Sequence, residues 1–273
     1  MRPIGIVGSL SRDSMPGREP RAGGCPYHAA RVLRLLARPS RIVTKCAEEH
    51  RRLLLGPLLA QGVPVSWRPA KASTSFHISQ DGDRRRMTVK SIGDEWTTAE
   101  VRDWVCEALG PCEWVHVAPL LRGEFRTPAL AEIARDRFVS LDGQGLARSP
   151  ELGPLVLNGE YDRELLQHVT VLKLAEEEAT ALFGEISAES LATLEVPELI
   201  VTRGSKGALV YTNGELTEVP ARPAVPNAEA TGAGDEFAAI YIASRSHGRS
   251  PVVAAHRAAA FVGAVLSRRL PVA

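Results

Sequence analysis

Aromatic residues are scarce in this chain: Phe, Trp and Tyr together make up 5% of its 273 residues. A site that holds bases between stacked rings therefore has little material, although one or two placed rings such as Tyr27 or Trp114 would suffice. Cysteines are few as well. Cys25, Cys46, Cys106 and Cys112 show no CxxC spacing and have no paired histidines beside them, which excludes the usual zinc frameworks and leaves reduced thiols. Neither sign of charge is in surplus, with Lys plus Arg at 33 against Asp plus Glu at 32. That balance argues against nucleic acid or an anionic membrane as partner and for a small molecule. No apolar run reaches the length of about eighteen residues that a membrane span needs, and the N-terminal MRPIGIVGSL is too short for a secretory core. The expectation is a cytoplasmic protein, with neither repeats nor low-complexity tracts.

Short β-branched runs recur at Ile4 to Val7, Arg41 to Thr44, Trp114 to Val117, Phe138 to Leu141, Val169 to Leu174 and Leu199 to Thr202. They lack polar alternation, as do strands covered on both faces of a parallel sheet. Between them lie helical signals: Ala30, Leu33 and Leu36 at helical spacing, a capping box from Thr97 to Glu100, and Pro128 opening a helix to Ala134. Strand alternating with helix predicts one α/β domain over residues 1–273: a doubly wound, mostly parallel central sheet flanked by helices, with ligands at the carboxyl ends of the strands. Residues 64–91 break the alternation. Thr74, Phe76, Ile78, Met87 and Val89 have strand spacing across an Asp81-Gly82 turn, which predicts a small β appendage, either a lid or a dimer clasp.

The stretch AEATGAGDEFAAIYIAS at residues 228–244 places Gly232, Ala233 and Gly234 at the entrance of an apolar helix. Glycine in a helix costs roughly 1 kcal/mol relative to alanine, so the pair answers a demand on the backbone. Bare amides at a helix N-terminus suit a phosphoryl group or its transition state, and Asp235 beside them can take a proton from an attacking hydroxyl. A tight turn followed by an acid that favours the helix dipole explains the same residues without chemistry.

ATGAGDEFAAIYIA resembles the C-terminal signature of the PfkB carbohydrate kinases, the ribokinase-like family. LIVTRGSKGALVY at 199–211 is similar to that family's strand, glycine turn and second strand. Gly23-Gly24 before CPYHAARVL is similar to its N-terminal glycine pair and helix, and LKLAEEEATALFG at 172–184 to the segment carrying its Asn-x-x-Glu motif. These stretches keep the family's order from residue 4 to residue 265. The resemblance implies transfer of the γ-phosphoryl group of ATP, with Mg²⁺, to an alcohol of a sugar, a polyol or a related compound. It implies Asp235 as general base, an anion hole from Gly232, Ala233 and Gly234, and a nucleotide border at Thr202, Gly204 and Gly207, where a β-turn is expected in any case. It also implies acceptor contacts from Asp13, Gly23 and Gly24, with His28 where the family commonly has Asn. Asp13 as a loop cap, followed by a long polar loop at 14–22, is the competing expectation.

Two further sites depart from the pattern. The Asn-x-x-Glu motif has become Ala175 to Glu178, in which Glu178 keeps the acid associated with hydrated Mg²⁺. Glu229 and Ala230 replace the usual Asp-Thr or Asp-Pro, which leaves the need for a monovalent cation open. Within SLDGQGLAR at 140–148, Asp142 and Arg148 either approach phosphates, for which Arg148 has a suitable fork, or pair with each other at the surface. Nucleoside phosphorylation and a non-catalytic ligand-binding role are the alternatives. A nicotinamide oxidoreductase fails, because GIVGSLSRDS lacks the third glycine of a dinucleotide fingerprint. A monomer and a homodimer are both compatible with the sequence.

Overall fold

The computed structural model describes residues 2–81, 84–221 and 230–268. Among the described residues fourteen strands form two sheets. In chain order they are β1 Ile4–Ser9, β2 Ser11–Met15, β3 Arg18–Gly23, β4 Ser40–Ala47, β5 Val65–Ala70, β6 Ser75–Asp81 and β7 Arg84–Ser91. There follow β8 Trp114–Val117, β9 Phe138–Asp142, β10 Gly153–Pro154, β11 Val171–Ala175, β12 Glu198–Thr202, β13 Ala208–Thr212 and β14 Glu215–Val219.

The large sheet has the order β14-β13-β12-β11-β9-β8-β1-β4-β5. Its strands run parallel from β5 through β12, and β13 and β14 close one edge as an antiparallel hairpin. All of β1 is buried because both of its faces are covered. Ile4 and Ile6 join a core with Ala30, Leu33, Phe237 and Tyr241, while Val7 joins the opposite core with Val105, Leu130 and Leu172. The largely apolar runs of the sequence, without regular polar alternation, are thus the signature of a sheet between two helical layers. From β1 the chain winds outward through β4 and β5, then returns to add β8 on the other flank. In parallel sheets such a reversal of strand order is where ligands gather, outside the carboxyl ends of the strands.

The small sheet has the order β10-β7-β6-β2-β3. Two expectations need correction here. β5, expected within the appendage, pairs in parallel with β4 as the edge of the large sheet, and its Trp67 indole reaches Cys46 Sγ at 3.4 Å. Residues 14–22, expected as a polar loop, lie largely in the β2–β3 hairpin, where Asp13 pairs with Arg21 and Gly17 turns at φ +68°. The hairpin is polar because little of it contacts the main core, so its strands carry no apolar alternation. β6 and β7 are antiparallel as expected, and Gly82 of the turn lies outside the described residues.

Candidate active site

Asp235 stands in the first turn of the helix Ala233–Arg245. The residue capping that helix, Gly232, has φ +79°, and a β-carbon on it would collide with the imidazole of His28. Left-handed backbone and a ring in contact together require glycine. The amides at such a terminus lack helical partners and carry the positive end of the dipole. Ala233 departs from the expected set of donors, since its N–H is given to Ala230 O at 3.0 Å and closes the turn. The backbone of Gly232 and Gly234 forms the rest of that corner.

Beside it lies a buried ion pair. β11 runs parallel to β9 with Lys173 opposite Asp142, and Lys173 Nζ is 3.2 Å from Asp142 Oδ2, the side chains being 5% and 0% exposed. The same ammonium is 3.1 Å from the point a β-carbon on Gly234 would occupy, so it abuts the helix entrance. Burial opposes the charge on Lys173, but Asp142, then Glu178 and Asp235, hold its pKa above the usual lysine range. Burial also pushes Asp142 upward, yet Lys173 and His116 outweigh it and the carboxyl stays below its ordinary value. For Asp235 the balance falls the other way. Burial, then repulsion from Asp142, raise it to about 7, while Lys173 and Arg148 pull it down. A carboxylate poised there can accept a proton near neutrality.

Arg148 and Asp142 do not form the surface pair that was one expectation. Arg148 instead bonds Glu178 Oε1 at 3.2 Å. The other oxygen of Glu178 accepts the Ala175 N–H at 2.9 Å, so Glu178 itself caps the helix Glu176–Phe183, which Ala175 has no side chain to do. Among the described residues no three acidic, histidine or cysteine groups converge as a metal cage. Mg²⁺ commonly keeps its water and is held by one or two carboxylates together with substrate phosphates. Glu178, 2% exposed and fixed by two bonds, fits that outer role. Glu229 lies outside the described residues.

On the acceptor side Asp13 is 6% exposed and accepts from Ser11 Oγ at 2.8 Å. The space freed by Gly23 is taken by the Asp13 carboxylate and the Ser11 hydroxyl. Gly24 caps the helix Cys25–Leu35 at φ +89°, where a β-carbon would press on Ser9 O. Both glycines thus serve the placement of Asp13 and of the helix that carries His28 to Gly232. At the ends of β11 and β12, Ala175 lies opposite Thr202, whose hydroxyl donates to Leu174 O at 3.2 Å. Gly204 and Gly207 take φ +55° and +93° in the turn that follows, and Gly207 packs against the backbone of Val219. Lys206 Nζ, 3.3 Å from Glu176 Oε1, ties that turn to the helix bearing Glu178.

Lys173 escaped the sequence-based expectations. Its signal was a charge inside the apolar run Val169 to Leu174, where only a buried partner makes a lysine tolerable.

Residues 15–271 match the pattern of the pfkB family carbohydrate kinases. The chain belongs to the PfkB family. It is accordingly a phosphotransferase with an alcohol group as acceptor. This PfkB kinase is 25% identical to the ribokinase of Bacillus subtilis (strain 168) over 273 residues, covering 91% of the chain and 87% of the relative. A pyrophosphate-dependent kinase of the ribokinase family, solved with a pyrophosphate analog and myo-inositol, superposes with a TM-score of 0.83 at 25% identity, over 99% of this chain and 97% of that one. Arabidopsis thaliana ribokinase with ribose and ATP superposes at 0.70 with 19% identity, over 99% and 95%, a likeness of fold. Among the described residues no helix is long and apolar enough to cross a membrane.

Proposed function

We propose that this PfkB kinase transfers a terminal phosphoryl group to one hydroxyl of a sugar, a polyol or a related compound, with Asp235 as the base. The observation that carries the reading is a carboxyl raised to about 7 at a helix entrance that only glycine can form. The donor's terminal phosphate lies at Gly232 and Gly234, where backbone amides and Lys173 stabilise its charge. Asp13 accepts hydrogen bonds from acceptor hydroxyls and turns one toward the phosphorus. Asp235 takes that hydroxyl's proton as its oxygen bonds to phosphorus and the bond to the leaving phosphate oxygen breaks. Glu178 would hold the hydrated magnesium, which when bound would supply positive charge to the donor's phosphate oxygens.

The small sheet acts as a lid in this scheme. One of its faces carries Asp13, Phe76, Ile78 and Val89, and its apolar part packs on Leu120 and Leu121. The opposite face carries Arg12, Ser14, His77 and Thr88, a polar surface unlike the apolar face of a clasp.

ATP is the first reading of the donor, bordered by Thr202, Gly204 and Gly207. Pyrophosphate is the second, favoured by the superposition on a pyrophosphate-dependent kinase and by two cations, Lys173 and Arg148, close to the phosphate corner. Rates with ATP and with pyrophosphate against sugars, inositols and nucleosides separate the readings. Turnover only with nucleosides would overturn the acceptor, and turnover with no alcohol would overturn the proposal.

A further inference from the structure

The amino-terminal edge of the large sheet carries a concave surface far from Asp235. It is a cavity of about 570 Å³ where β1, β4 and β5 begin, and its wall includes Arg34, Arg38, Arg41, Ser40 and Ser66. The eight residues of β4 separate it from the acceptor end, roughly 25 Å of extended chain. Among the described residues no Asp or Glu lines it.

Several partly buried arginines elsewhere in the molecule have carboxylates, among them Arg31 with Glu236, Arg148 with Glu178 and Arg245 with Glu198, while Arg137 bonds main-chain carbonyls. At this cavity the buried Arg38, the half-buried Arg41 and the exposed Arg34 at its rim have none. Arg41 donates to Ala108 O at 3.0 Å and Arg34 to Ala60 O at 3.4 Å. Arg38, only 7% exposed, donates to Arg2 O at 3.0 Å and Ser246 Oγ at 2.8 Å. Burial lowers its pKa, and no carboxylate opposes that shift. Arg38 also lines a neighbouring cavity of about 290 Å³ with His247, Arg249 and Arg257, again without an acid among the described residues. Cations gathered in and around a recess without counter-charge repel one another, and the buried Arg38 gains most from an anion that enters.

We propose that this cavity is a second binding site for a small phosphate-bearing anion, distinct from the donor and acceptor sites. Guanidinium forks match phosphate oxygens in bidentate geometry, and the Ser40 and Ser66 side chains add hydroxyls to the wall. The volume lies in the range of small-molecule sites. The ligand does not meet Asp235, so it is neither phosphorylated nor consumed there.

The test is titration calorimetry of the intact protein with inorganic phosphate, with 3-phosphoglycerate and with succinate, paired with hydrogen exchange to locate the bound anion. The expected result is protection of residues 34–41 and 62–66 by the phosphate-bearing probes and not by succinate. The probe that binds more tightly distinguishes a phosphate ester from free phosphate. Arg34→Glu with Arg41→Glu should weaken that binding at least tenfold while leaving phosphoryl transfer without the anion unchanged. Arg41→Gln, milder in charge and size, should weaken it severalfold. Equal binding by wild type and variants, protection confined to residues 230–236, or no protection at millimolar probe would overturn the proposal.

Discussion

Lys173 Nζ lies 3.2 Å from Asp142 Oδ2 and against the backbone of Gly234, one residue before Asp235. Lysine and aspartate therefore act on the base with opposite signs: Asp142 raises the Asp235 pKa, and Lys173 lowers it. Activity of a general base rises with pH through its pKa, so wild-type turnover should climb through about pH 7. Asp142→Asn removes a repelling charge, and the acidic limb should move to lower pH. Lys173→Met removes an attracting one, and the limb should move higher. Rate profiles from pH 5 to 9 check both, and shifts of the same sign would contradict the arrangement.

The same pair governs stability. Each partner alone would be a buried charge without its main compensation, and breaking such a pair costs about 3–5 kcal/mol. Lys173→Met and Asp142→Asn should each lower the urea midpoint strongly, whereas the double variant should recover most of the loss. The double variant should stay slow, because the charges that tune Asp235 are gone. A double-mutant cycle by denaturation and by turnover separates the two effects.

Gly232 couples the base to the acceptor-side helix. Gly232→Ala forces a side chain into left-handed backbone and against the His28 ring. Turnover should fall at least about tenfold, with stability lowered by about 1–3 kcal/mol. Adding His28→Ala relieves the collision but not the backbone conformation, so recovery should be partial. Full recovery would show that the ring contact alone mattered.

Much of the fold was legible, because β1, β4, β8, β9, β11 and β12 are largely buried on both faces and their sequences are rich in apolar residues without regular alternation. The small sheet was legible only in part. β2 pairs in parallel with β6 across some sixty residues, and polar side chains in β2 and β3 give no local sign of a strand. At the site, Gly232 and Gly234 announced a backbone requirement, and the geometry at Gly232 explains it. The partnership of Lys173 with Asp142 depends on β9–β11 register, which no local pattern encodes. The contact of Gly23 with Asp13 was hidden for a related reason: the group filling its space comes from the neighbouring strand.

The central claim is that Asp235 removes the acceptor's proton beside a phosphate held by the helix entrance. Steady-state turnover of Asp235→Asn, measured together with donor affinity, tests it most directly. The account predicts donor binding within about threefold of wild type and turnover reduced at least about a hundredfold, the scale of a lost general base. Turnover close to wild type would contradict it.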